Sequence, residues 1–179
     1  MSKNNEDSLK FWITTIIAII AIIGAIVAAG LGAYWGVTIQ NDNIKQNTAK
    51  LLYDDIDNLN WTLDHLNQMI IEHPNSRQYI FTPIYPENGI FYSARSDIAA
   101  LDYDVARNIT IFYTDIYYAE EYRKAMNSAI EQNKSIQYDV AYSQFQPAIQ
   151  EAYDMRSQLL TDMQKRYNIP ENTIKNRFH

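Results

Sequence analysis

"LYDDIDNLNWTLDHLNQMI", residues 52–70, places its aliphatic side chains at Leu52, Ile56, Leu59, Leu63, Leu66 and Ile70. The spacing is 4, 3, 4, 3, 4, a heptad seam of the kind that packs one helix along another. Asp54, Asp55, Asp57, Asn58, Asn60 and Asp64 stand between the seam positions. Neighbouring helical residues point apart, so these acidic groups read as a solvated face rather than a converging metal set. The pattern predicts a helix from about Ile44 to Glu72 that stops before Pro74, because the residue ahead of a proline is pushed out of helical geometry.

Downstream the period breaks. "HPNSRQYIFTPIYPENG", residues 73–89, holds three of the five prolines and Gly89, the one glycine past residue 36. Pro86-Glu87-Asn88-Gly89 reads as a tight turn, with Gly89 expected at positive φ. The apolar "QYIFTPIY" ahead of it is expected to lie extended along a bundle, since no second strand exists to pair with it. After the turn "IFYSARSDIAAL" predicts a short helix. Asp102 is a candidate cap for a longer one, with Val105, Ile109, Phe112, Ile116 and Ala119 on one face. Glu120 and Lys124 are spaced for a surface pair. "NKS" ends that helix, and a last one spans about 135–167 with Ile149, Tyr153, Leu160, Met163 and Tyr167 inward. Pro147 lies within it and either kinks it or opens a new helix.

Upstream of the seam, residues 11–39 carry no charge and are almost wholly apolar. A bilayer core of ~30 Å needs about 20 helical residues, and Ile13–Gly32 supplies them. Trp12 at one end, and Tyr34 and Trp35 at the other, are expected as interface anchors. The two tryptophans would stand roughly 35 Å apart on a helix. A cleaved secretory signal is the rival, since Ala28, Gly30 and Gly32 offer a small-residue cleavage site. Gly24, Ala28, Gly32 and Gly36 recur every fourth position and form a small-residue stripe on which a second membrane helix could pack closely.

The expected fold class is all-α: a transmembrane helix followed by an antiparallel helical bundle of three main helices plus one short helix. The expected domains are a tail at 1–10, the membrane helix at 11–39, the bundle at 40–168 with its proline-rich loop at 73–90, and a loose tail at 169–179. In this up-down-up arrangement the proline-rich loop lies at the end far from the membrane. The positive-inside count is nearly tied, with Lys3, Lys10 and the amino terminus against Lys45 and Lys50. It leans towards a cytoplasmic N-terminus and an extracytoplasmic helical domain.

The chemistry is narrower. From residue 40 onward 13 basic side chains face 19 acidic ones, so no nucleic-acid partner is expected. The chain has no cysteine, which excludes disulfides, thiolate metal sites and a cysteine nucleophile. No phosphate-cradling glycine loop and no Gly-x-Ser-x-Gly elbow occurs. His65, His73 and His179 lack the glutamate spacing of di-iron bundles. No cofactor, metal or catalytic residue is assigned, and the chain is not expected to be an enzyme. Tyrosine is the unusual feature, with 14 residues. Tyr113, Tyr117, Tyr118 and Tyr122 follow helical spacing, and Tyr85 and Tyr92 flank the turn. Tyrosine buries area while keeping a polar tip, so these six form a candidate partner surface. Tyr79, Phe81 and Phe91 add to the aromatic character of the loop region.

The run "PIYPENGIFYSARSDIAALDYDVARNITIFYTDIYYAEEYR", residues 83–123, resembles a pattern in uncharacterised small prokaryotic single-pass membrane proteins with a helical domain. There a Pro-rich turn leads into a short helix and then a Phe-Tyr-bearing one. The resemblance implies this architecture and no activity, cofactor or site residue. The functional expectation is a membrane-anchored protein that acts through protein–protein interaction, with a protein partner or a second copy of itself joined through the membrane helix. The alternative is an extracytoplasmic ligand-sensing domain that signals through a membrane partner.

Overall fold

The structure, a computed structural model, describes residues 36, 38–74 and 77–170. Residues 11–35 and 37 of the expected membrane helix, with the interface anchors Trp12, Tyr34 and Trp35 and with Gly24, Ala28 and Gly32 of the stripe, lie outside the described residues. Gly36 is described as helical and exposed, with nothing within 4 Å of a Cβ placed on it. Among the described residues no helix is long and apolar enough to cross a membrane, and none forms a strand. The chain divides into two compact units between Asn43 and Ile44. In the first, residues 38–43 are helical and exposed.

The second unit is a helical bundle. Its first leg is α1 (44–58) followed by α2 (Asn60–Glu72), with the helical ladder loosened at Leu59. There the Leu59 amide reaches the Asp55 carbonyl at 3.3 Å. Next come the short α3 (Ile90–Ala94), a 3₁₀ turn (Ile98–Ala100), α4 (Tyr103–Glu131) and α5 (Ser135–Tyr167). The seam packs as its spacing requires: Leu52, Ile56, Leu59, Leu63 and Leu66 are buried and Ile70 is half-buried against them. Phe112 of α4, and Phe145 and Met163 of α5, are fully enclosed beside it.

The α4–α5 hairpin is the most extensive helix pair. Asn133 takes φ 55° between the two helices. The Lys134 amide donates to the Ala129 carbonyl at 2.8 Å and the Asn133 amide to the Ile130 carbonyl at 3.0 Å, the two bonds that close a helix end on a left-handed residue. α5 runs unbroken through Pro147, which neither starts a helix nor ends one. Pro147 has no amide to donate to the Ser143 carbonyl; both residues are exposed, so water can donate there instead.

The up-down-up expectation is corrected by the hydrogen bonds. Lys45 bonds Asp102 where α1 and α4 begin, and Asp55 bonds Tyr113 about three turns further along both helices. The first leg and α4 therefore run in the same sense. α5 runs against both: Tyr53 meets Gln164, Asp64 meets Arg156, and the Asp102 amide meets the Tyr167 hydroxyl. The chain achieves this by a crossover, 73–102, that returns along the full length of α4. The Gln78 amide donates to Tyr138 near one end of α4, the Ile84 amide to Glu120 midway, and Leu101 is buried at the other end. A short connection would force antiparallel neighbours; this long one removes that constraint. "QYIFTPIY" does lie extended along the bundle.

Candidate functional site

The crossover is fastened to α4 by a buried polar clamp. Arg123 donates to both carboxylate oxygens of Glu120, at 2.8 and 2.7 Å, and to the Ile80 carbonyl at 2.6 Å. Asn127 donates to that same carbonyl and accepts from the Ile80 amide at 3.0 Å. Glu120 also accepts from the Ile84 amide at 2.9 Å. The extended crossover has lost its own backbone partners, so α4 side chains satisfy it instead. Glu120 thus pairs with Arg123 rather than Lys124. Lys124 turns to Glu121, at 2.9 Å, and to Glu87 at 3.8 Å.

Beyond the clamp the Pro86–Gly89 turn closes with a 3.0 Å bond from the Gly89 amide to the Pro86 carbonyl. Gly89 does not take positive φ; its φ is −63°. Glycine is required for another reason. The ring of Tyr85 lies against the Gly89 Cα, and any Cβ would overlap that ring. The ring cannot move aside freely. The Tyr85 hydroxyl donates to Asp55 at 2.6 Å and accepts from the Phe91 amide at 2.9 Å. Tyr113 donates to the same Asp55 oxygen at 2.6 Å. Asp55 therefore does not belong to a solvated face; it joins α1, the crossover and α4. Burial first, and then the bond to Asp55, push both phenols well above the ordinary tyrosine range, so they stay neutral donors.

Two clefts open over this centre. The smaller, of about 300 Å³, is lined by Tyr85, Phe91, Tyr92, Tyr113 and Tyr117, with Glu87, Glu121 and Lys124 at its rim and Glu120 alongside. The larger, of about 590 Å³, shares Phe91, Tyr92, Tyr113 and Tyr117 and adds Tyr118 and Arg95. Five of the six tyrosines singled out from the sequence thus meet on one face. Their roles differ. Tyr85 and Tyr113 are buried and form the floor, with Phe91 stacked on Tyr113 at 4.2 Å. Tyr92, Tyr117 and Tyr118 are 43%, 50% and 50% exposed and form the walls. Tyr122 packs partly against the core and stacks on Tyr118.

Tyr79 and Phe81 lie apart from this face. Their rings and the stacked pair Trp61–His65 surround a separate cleft of about 260 Å³, with Trp61 73% and Phe81 83% exposed. Trp61 carried no signal in the heptad pattern beyond its place off the seam.

Asp102 stands at the cap position just before α4, but its side chain makes no capping bond. Its carboxylate instead takes Lys45 at 2.7 Å, which holds it below the ordinary carboxylate range. Among the described residues no group of three or more His, Asp or Glu side chains is placed to hold a metal ion. Compared with protein-family models, with curated proteins and with solved structures, the chain finds no match.

Proposed function

We propose that the chain is a single-pass membrane protein whose helical domain lies outside the cytoplasm and acts by protein–protein interaction through the Tyr92–Tyr117–Tyr118 face. The membrane assignment rests on the apolar run Ile13–Gly32 and its aromatic bracket. The interaction assignment rests on one observation: the crossover docks Tyr92 beside Tyr117 and Tyr118, leaving three half-exposed tyrosines over a buried, hydrogen-bonded floor. Large aromatics held in place lose little entropy when a partner covers them, and tyrosine is enriched in such contacts. The role is binding rather than catalysis. The small-residue stripe at Gly24, Ala28, Gly32 and Gly36 supports pairing of two anchors in lipid.

The test is site-specific photocrosslinking in native membranes. A photoreactive residue at Tyr118 is expected to give a discrete adduct, with a partner or a second copy, that weakens when Tyr92 and Tyr117 are changed to Ala. The same probe at Gln150, exposed on α5, is expected to give none. Monomer alone at both positions overturns the interaction reading. Release of the full chain from membranes by alkaline carbonate overturns the anchor.

The clefts themselves favour a second reading, ligand sensing. A ligand-induced rise in melting temperature, seen without any crosslinked partner, would select it.

A further inference from the structure

We infer that the 300 Å³ cleft beside the Pro86–Gly89 turn is a binding site for a small organic ammonium cation of the quaternary or fully N-alkylated kind. This inference does not rest on the protein-interaction reading, and its test needs no partner.

The lining comes first. Tyr85, Phe91 and Tyr92 of the crossover and Tyr113 and Tyr117 of α4 line the cleft, with Phe91 stacked on Tyr113 at 4.2 Å. Aromatic faces carry negative potential and attract cations, and several rings around one space are how proteins hold quaternary ammonium groups. Two of the rings are further enriched. Tyr85 and Tyr113 each donate a hydrogen bond to the Asp55 carboxylate at 2.6 Å. A phenol that donates to an anion moves electron density into its ring, which strengthens its attraction for a cation.

Charge has the same sense. Asp55 behind the floor and Glu87, Glu120 and Glu121 around the cleft make four carboxylates. Arg123 and Lys124 pair with three of them, and Arg95 lines the adjoining cleft that shares four of the five rings. The rim already holds an ammonium: Lys124 Nζ lies 2.9 Å from Glu121 and 3.8 Å from Glu87.

The floor also selects the type of cation. The Tyr85 hydroxyl is engaged by Asp55 and the Phe91 amide, and the Tyr113 hydroxyl by Asp55. With these bonds made, the floor offers at most spare lone pairs on the phenol oxygens against the three N–H donors of a primary ammonium. A quaternary ammonium has none to match.

The experiment is calorimetric titration of the purified full chain with choline, tetramethylammonium and 3,3-dimethylbutanol, the neutral isostere of choline. The expected result is saturable binding of both cations, with the alcohol weaker by about tenfold. Tyr92→Leu and Tyr117→Leu, at half-exposed positions, are expected to weaken cation binding several-fold with unchanged melting temperature. Lys124→Gln removes the competing ammonium and is expected to tighten it. Equal affinity for the alcohol overturns the inference, as does the absence of saturable binding. So does cation binding indifferent to Tyr92→Leu, Tyr117→Leu and Lys124→Gln.

Discussion

Asp55 is the residue on which the most structure converges. Two hydroxyls buried between α1, the crossover and α4 depend on one of its oxygens. Asp55→Ala leaves both donors without an acceptor and is expected to destabilise the fold on the order of 3 kcal/mol. Asp55→Asn keeps an acceptor oxygen and is expected to cost less than half of that; urea unfolding of the full chain compares them. Asp115 makes the opposite case. Burial first, and then Glu151 across the α4–α5 interface, push its carboxyl up to about 6, and one of its oxygens has no hydrogen-bond partner. The folded chain then holds this proton more tightly than the unfolded chain, whose carboxyl titrates near about 3.9. Its contribution is complete below that value and is lost as pH rises through about 6. Asp115→Asn is expected to match the wild type at pH 4 and to exceed its melting temperature increasingly from pH 5 to pH 7. A constant difference across that range would refute the assignment.

At the scale of elements, α5 contains a residue that its own propensity opposes. Proline in a helix interior removes a backbone bond and costs about 3 kcal/mol in an exposed setting. Helix 135–167 survives because its inner face, from Phe145 through Ile149 and Ala152 to Met163, is buried on both sides of Pro147. Packing thus overrides the local preference. Pro147→Ala is expected to raise stability by about 1–3 kcal/mol and to slow amide exchange in the turn around Ser143, read by hydrogen-exchange mass spectrometry.

For the whole molecule, the arrangement depends on the crossover staying on α4. The Glu120–Arg123 pair is about nine-tenths buried and supplies or accepts bonds at Ile80 and Ile84. Arg123→Met strands a buried carboxylate and is expected to cost about 3–5 kcal/mol. Replacing both members, Glu120→Leu with Arg123→Met, removes the stranded charge and is expected to recover part of that loss. The Ile80 carbonyl loses Arg123 in both variants, and the Ile84 amide loses Glu120 in the double one. Exchange at Ile80–Tyr85 is therefore expected to quicken in both, while the α4–α5 hairpin stays protected. Uniform loss of protection over the bundle would show that the crossover is not an independently held strap.

The helices themselves were legible because amphipathic periodicity is a local property. Leu52 to Ile70 names its own buried face, Pro74 and "NKS" name their breaks, and the 14 tyrosines announce an unusual surface. The direction of α4 was not legible. It depends on where an extended, aperiodic segment lies, and that is settled by pairings such as Ile80–Asn127 and Ile84–Glu120, 47 and 36 residues apart. Asp55 read as solvated for the same reason: its partners Tyr85 and Tyr113 lie 30 and 58 residues away. Gly89 was recognisable as a turn residue, but only the ring of Tyr85 against its Cα explains why a side chain is excluded there. Sequence by itself determined an all-helical chain with its core seam and its breaks, since burying an apolar stripe needs no knowledge of the partner. Tertiary structure alone decided the crossover, the shared carboxylate and the tyrosine clefts, because a buried polar group takes whichever partner the path of the chain brings within reach.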